Sequence, residues 1–263
     1  MRTTPVKPLL AALAAAATLS ACFSPMSFVD RAVDRAAGRA ADRAGESVGN
    51  RIADHYAPQM QQMYMSMMFS MAFASGGYAV GLGDYKPGDF TRWVIPNKDD
   101  KDAKESVLER AYLFDDKDGN QWWKVKWVLD PKKPEESTFI VEALFDKKNL
   151  TLLRERAKMP NEKEGKEIPV TENTYYTPPQ RLTKQSLEGA TVSTGPVTVP
   201  AGTFTARKVV YGTGGGSSEW YLADRVPGAM VKMVSRPRDD SRAYEMDLQA
   251  FGGGAASELG IKP

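Results

Sequence analysis

The hydrophobic positions of this chain change period once. From about Phe90 to Phe251 apolar and polar residues alternate in steps of two, the signature of strands with one buried face. Gln121–Leu129 is the clearest run: Trp123, Val125, Trp127 and Leu129 share one face, and Trp122, Lys124 and Lys126 share the other. Ser106–Phe114 precedes it across the loop Asp115–Asn120, whose Asp118-Gly119 suits a hairpin turn. Thr138–Phe145 and Leu150–Arg156 follow, separated by the polar turn Asp146–Asn149. Further runs are Thr191–Val199, Thr203–Tyr211, Ser218–Leu222, Met230–Ser235 and Ala243–Phe251. Turn chemistry separates them: Pro200-Ala201-Gly202, the Gly214–Gly216 run, and Pro227-Gly228, with glycine where a type II turn needs positive φ. Residues 157–180, rich in Pro, Glu and Lys, read as a long surface loop, and Arg181–Leu187 as a short helix. The expected fold is mainly β (α+β): a curved antiparallel meander or half-barrel of about nine to ten strands over residues 84–252. A Gly/Ala-rich tail, 253–263, reads as flexible.

Before this region the pattern is helical. Ala32, Ala36, Ala40, Ala44, Val48, Ile52 and Tyr56 recur every four residues and form one slowly spiralling stripe. Arg31/Asp34, Arg39/Asp42, Arg43/Glu46 and Arg51/Asp54 can pair across the surface, each contributing roughly 0.2–0.5 kcal/mol. Gly38, Gly45 and Gly49 each cost about 1 kcal/mol relative to alanine. An alanine stripe buries little area, so the segment reads as a solvated spacer helix; a helix pairing with itself or with a partner is the alternative. Pro58 ends or kinks it.

Residues 59–75 carry no charge and hold six of the twelve methionines, between Met60 and Met71. Met60, Met63, Met67 and Met71 fall on one helical face. That face packs against the sheet, or it forms an adaptable surface for an apolar ligand or a membrane interface, because thioethers re-pack easily; a Cu(I) site on the soft thioethers is the third reading, disfavoured because only His55 and no second cysteine could join it. Gly76-Gly77 ends the run about 17 residues in, at the short limit for crossing a bilayer.

Composition removes several function classes. Nothing resembles the basic stripe that nucleic-acid binding needs, and no nucleic-acid partner is expected. A lone histidine, His55, and a lone cysteine, Cys22, leave too few groups for a Ser-His-Asp or Cys-His arrangement or for a zinc site. The stretch Asp116–Asn120 fails as a calcium loop, since the twelfth position is Trp127 rather than Glu. Gly212–Ser218 lacks the lysine of a phosphate-binding loop. Carboxylate pairs such as Asp99/Asp100 and Glu135/Glu136 lie in charged loops. The expectation is a non-catalytic protein with no cofactor and no metal.

The N-terminus carries the sharpest motif. Arg2 and Lys7 precede eleven residues of Ala, Leu and Thr, Leu9–Leu19, the length of a signal-peptide core and too short for a span. Leu19-Ser20-Ala21-Cys22 follows and resembles the bacterial lipobox. That resemblance implies cleavage of residues 1–21 and acylation of Cys22. It then makes residues 22–77 a lipid-anchored helical spacer ending in the Met-rich helix. Loss of Arg2 and Lys7 leaves 33 basic residues against 33 acidic ones, a formally neutral chain. Phe23, rather than aspartate, follows the cysteine; by the same resemblance this implies sorting to the outer membrane, facing the periplasm.

Residues 197–252 contain Val199-Pro200-Ala201-Gly202-Thr203-Phe204, Glu219-Trp220-Tyr221 and Val226-Pro227-Gly228. This stretch resembles periplasmic lipoproteins whose folds are similar to the lipoprotein-sorting (LolA/LolB-like) proteins. The resemblance implies a strongly curved antiparallel sheet closed by helices over an apolar cavity for acyl chains. The candidate residues lining such a cavity are Met63, Met67, Met71, Trp123, Trp127 and Trp220, with Cys22 as the lipidation site. The alternative is a structural or interaction lipoprotein with a solid core that docks on an envelope protein, its partner unknown.

Overall fold

Two meanders meet along a single seam. The structure is a computed structural model. It describes residues 68–69, 72–73, 78–79, 85–96, 105–170, 180–213, 216–237 and 243–263. Cys22, the four-residue repeat and Met63, Met67 and Met71 lie outside the described residues.

The first meander is β2 (Phe90–Ile95), β3 (Ser106–Asp115), β4 (Gln121–Val128), β5 (Thr138–Phe145), β6 (Leu152–Lys158) and β7 (Lys166–Ile168). The second is β9 (Thr191–Val199), β10 (Gly202–Thr213), β11 (Gly216–Leu222), β12 (Met230–Pro237) and β13 (Tyr244–Gly252). They form one open antiparallel sheet of eleven strands, ordered β7-β6-β5-β4-β3-β2-β13-β12-β11-β10-β9. The seam is β13 against β2, with Leu248 opposite Trp93 and Asp247 opposite Val94. Nine of these strands are the runs that alternation marks; of the other two, β2 opens the alternating region without having been marked as a run of its own, and β7 lies inside the segment expected to be loop. A separate parallel pair joins β1 (Tyr78–Ala79) to β8 (Gln180–Arg181). Two short helices, α1 (Pro134–Ser137) and α2 (Lys184–Gly189), sit between strands, α2 capped by Thr183.

The sheet is bent rather than flat. Register shifts interrupt the ladders at Tyr112/Phe114, Leu144/Phe145, Lys208/Val209, Tyr221/Leu222 and Leu248/Ala250. Each inserts an unpaired residue that increases local twist and bend. The curl is deep enough for the β9–β10 turn to reach β13, where the Ala201 amide donates to the Leu248 carbonyl at 2.9 Å. On the inner side one core joins both meanders, and Trp93 Nε1 of β2 donates to the Met230 carbonyl of β12 at 3.1 Å.

Alternation assigns the two faces of β4 as the sequence indicates. Trp123, Val125 and Trp127 enter the inner core, while Trp122 joins a small outer cluster with Ala111, Leu113 and Leu144. The turns also behave as their residues require: Gly119 has φ +80° and Gly228 φ +75°. Residues 253–263 differ from the expectation of a flexible tail. They run across the outer face, because a buried acceptor on β5, Glu142, takes up their amide hydrogens.

Candidate functional site

The inner face is an aromatic bowl already filled by the chain's own residues. Helical residues Met68, Phe69, Ala72 and Phe73 are buried in it. Phe73 meets Trp123 edge-on at 5.7 Å and Phe145 at 5.4 Å; Phe69 meets Phe145 edge-on at 5.7 Å. Tyr112 stacks on Trp123 at 4.9 Å, with an interplanar angle of 12°. Such pairs contribute about 0.5–1.5 kcal/mol beyond the area they bury. Of the sequence-predicted lining residues, Trp123, Trp127 and Trp220 all enter this core, each 1% exposed or less. They are not neighbours of one another in the ring contacts: Trp127 packs on Phe139 at 6.3 Å and Trp220 on Tyr211 at 5.0 Å.

Two charged residues are buried on this face, Arg110 on β3 and Glu155 on β6. Arg110 is 2% exposed. Its Nε donates to the Tyr85 hydroxyl at 3.0 Å, and Nη1 donates to the carbonyl of Ala72, in the covering segment. Its guanidinium lies 4.9 Å from the Tyr85 ring centroid and 5.2 Å from that of Trp93. Nη2 has no hydrogen-bond partner, and no ion pair joins Arg110 to a carboxylate among the described residues. Tyr85 also bonds Thr91 Oγ1. Burial pushes the Tyr85 hydroxyl above its ordinary pKa, against the opposing pull of Arg110. Gly228 closes the site from the β11–β12 turn: a Cβ there would come within 2.6 Å of both Arg110 Nη2 and the Tyr85 ring.

The outer face uses charge in the opposite way. Glu142 is fully buried and accepts from Ser257 Oγ at 2.6 Å, the Glu258 amide at 2.6 Å and the Leu259 amide at 3.1 Å. Lys124 bridges Glu109 at 3.1 Å and Glu258 at 2.8 Å, and Lys126 reaches Glu258 at 2.8 Å. Burial acts to lower the Lys124 pKa, but Glu258 and Glu109 outweigh it and raise it overall. Burial acts to raise the Glu258 pKa, but Lys124 and Lys126 bring it below the usual carboxylate value. Two clefts, of about 350 and 290 Å³, flank the tail.

Reasoning from sequence singled out neither Arg110 nor Glu142. A signal was present, since each is a charge whose neighbours on its own strand face are apolar: Leu108 and Tyr112 for Arg110, Ile140 and Leu144 for Glu142.

No protein-family model matches the chain, and no curated protein matches it. Among solved structures, it is similar to MucB in the MucA/MucB complex of Pseudomonas aeruginosa: 11% identity, TM-score 0.42, over 68% of this chain and 56% of that one. It is also similar to the hypothetical protein CT021 from Chlamydia trachomatis, at 10% identity and TM-score 0.39, over 68% of this chain and 93% of the other. A candidate lipoprotein from Parabacteroides distasonis matches at 13% identity and TM-score 0.29, over 64% and 96%. The chain thus spans just over half the length of the MucB chain it matches. No helix among the described residues is long and apolar enough to cross a membrane.

Proposed function

We propose that this is a non-catalytic envelope lipoprotein, held at the outer membrane by acylated Cys22. Its inner sheet face takes up an apolar chain with an acidic head when the segment around residues 68–73 moves aside. Arg110 carries this reading. Burying a guanidinium without a carboxylate costs several kcal/mol, and a core built only for stability has no use for it. Small-molecule sites combine apolar walls with a few placed polar groups that orient the ligand. Here the walls are Trp123, Phe145 and Tyr85, and the placed group is Arg110 with its unused Nη2. The covering segment supplies apolar surface and one backbone carbonyl, which a ligand's acyl chain and acidic head can replace.

A second reading has its own observation. Met68, Phe69, Ala72 and Phe73 fill the bowl, which suits a solid-cored protein that docks on an envelope partner. Native mass spectrometry of the protein, purified from a bacterial envelope without detergent, separates the two. The ligand reading expects extra mass that dissociates as a lipid, and uptake of a fluorescent fatty acid that Arg110→Met abolishes while the fold persists. A clean apo mass with no fatty-acid uptake overturns it in favour of docking.

A further inference from the structure

The C-terminal tail is bound to the outer face as a peptide ligand is bound to a receptor. Its anchors are few and specific. Glu142 reads the Ser257 hydroxyl and two backbone amides; Lys124 and Lys126 read the Glu258 carboxylate. Leu259 is buried beside Gly165, where an added Cβ would come within 2.9 Å of its side chain, so only glycine leaves that space. Ala255 and Ile261 cover the small outer cluster of Ala111, Leu113, Trp122 and Leu144. The tail organises itself for this role: the Ile261 amide donates to Ser257 Oγ at 2.8 Å.

Between these anchors the fit is open, with a cleft on each side of the tail. These anchors lie beyond the three-glycine junction Gly252-Gly253-Gly254, and the groove is built by β3 to β6 rather than by β13, to which the tail is attached. Every one of these contacts can therefore form equally well with a tail that arrives from another molecule. Exchange of an identical element between protomers is a low-cost route to a dimer, since it keeps all native contacts and changes only the hinge.

We infer that residues 255–261 form an exchangeable latch, and that the groove around Glu142, Lys124 and Lys126 accepts the same segment from a second copy of this chain. The occupant is a second copy because the one peptide shown to fit the groove is the chain's own. The inference stands apart from ligand binding on the inner face.

The test is sedimentation of the full chain. Deleting Gly253 and Gly254 shortens the hinge, so the tail strains to close on its own sheet. The shortened chain is expected to be mostly dimeric, and adding Glu142→Gln is expected to return it to monomer. The unshortened chain, refolded at high concentration, provides the second measurement: a dimer fraction that removal of residues 253–263 abolishes, while Glu142→Gln, which weakens the latch equally in closed monomer and exchanged dimer, leaves the ratio of the two nearly unchanged. Monomer alone in both chains overturns the inference. So does a dimer that survives removal of residues 253–263, since its interface lies elsewhere.

Discussion

Strand β4 shows two ways of burying side chains within eight residues. Its inner face places Trp123, Val125 and Trp127 in an aromatic core; its outer face places Lys124 and Lys126 under the tail beside Trp122. Both faces contain buried charge, but the charges differ in standing. On the outer face Glu142, Lys124 and Glu109 are matched by opposite charges or amide donors. On the inner face Arg110 has a phenol, a carbonyl and two aromatic rings, and one nitrogen left over. A satisfied buried charge supports the fold around it, whereas an incompletely satisfied one costs stability and marks a place built for something else. The lesson is that burial alone does not say what a charge contributes; its partners do.

The comparison can be broken most forcefully at Trp123. Trp123→Ala removes a ring touched by Phe73, Tyr85 and Tyr112 and is expected to cost about 3–5 kcal/mol in urea unfolding. On the outer face, Glu142→Ala leaves the tail's amides and Ser257 without an acceptor. It is expected to cost about 1–3 kcal/mol, with hydrogen exchange of the Glu258 and Leu259 amides speeding up first. The inner-face arginine reverses the sign: Arg110→Met is expected to be neutral or to stabilise by roughly 1–4 kcal/mol. A large loss of stability on that substitution would place Arg110 with Glu142 as a structural charge.

Acid is expected to loosen the outer face through Glu258. The folded Glu258 pKa lies below its unfolded value, so its contribution is present above the ordinary carboxylate pKa of about 4.3 and is lost as pH falls through the lowered folded value. Tail protection measured by hydrogen exchange should fall in that window while the near-ultraviolet signal of the inner tryptophans persists. Lys124 sets the alkaline limit by the opposite sign: its raised pKa keeps its contribution below about pH 10.4, and that contribution is lost as pH rises through the folded value. The smallest effect belongs to exposed pairs remote from both faces. Lys133→Ala, which removes the partner of Glu136, should shift stability by less than about 0.5 kcal/mol.

Much of this architecture was legible in the chain. The runs Thr138–Phe145 and Thr191–Val199 match β5 and β9 end to end, and the faces of β4 follow from strict alternation. Strand β7 was not legible: Lys166–Ile168 is three residues long, and its place comes from pairing with β6, with Glu167 opposite Arg156. The tail was misleading for a related reason. Gly252 to Ala256 reads as loose because glycine and alanine supply no anchor, and the anchors come from Glu142, 117 residues away from Leu259. At the inner site, Trp123, Trp127 and Trp220 were legible as buried aromatics, but Arg110 was not, because an arginine in alternation is ordinarily assigned to solvent.

What the sequence determined by itself was therefore local: strand positions, turn residues and which side chains share a face, since a period of two is set by the backbone of each strand alone. Tertiary structure decided what closes those faces. The pairing of β13 with β2, the reach of Trp93 to Met230 across 137 residues, the filling of the bowl by Met68, Phe69, Ala72 and Phe73 and the pinning of the tail all depend on groups that meet only in the fold. Nothing in the period of a strand records which distant segment will lie against it, or whether a charge it carries will find a partner there.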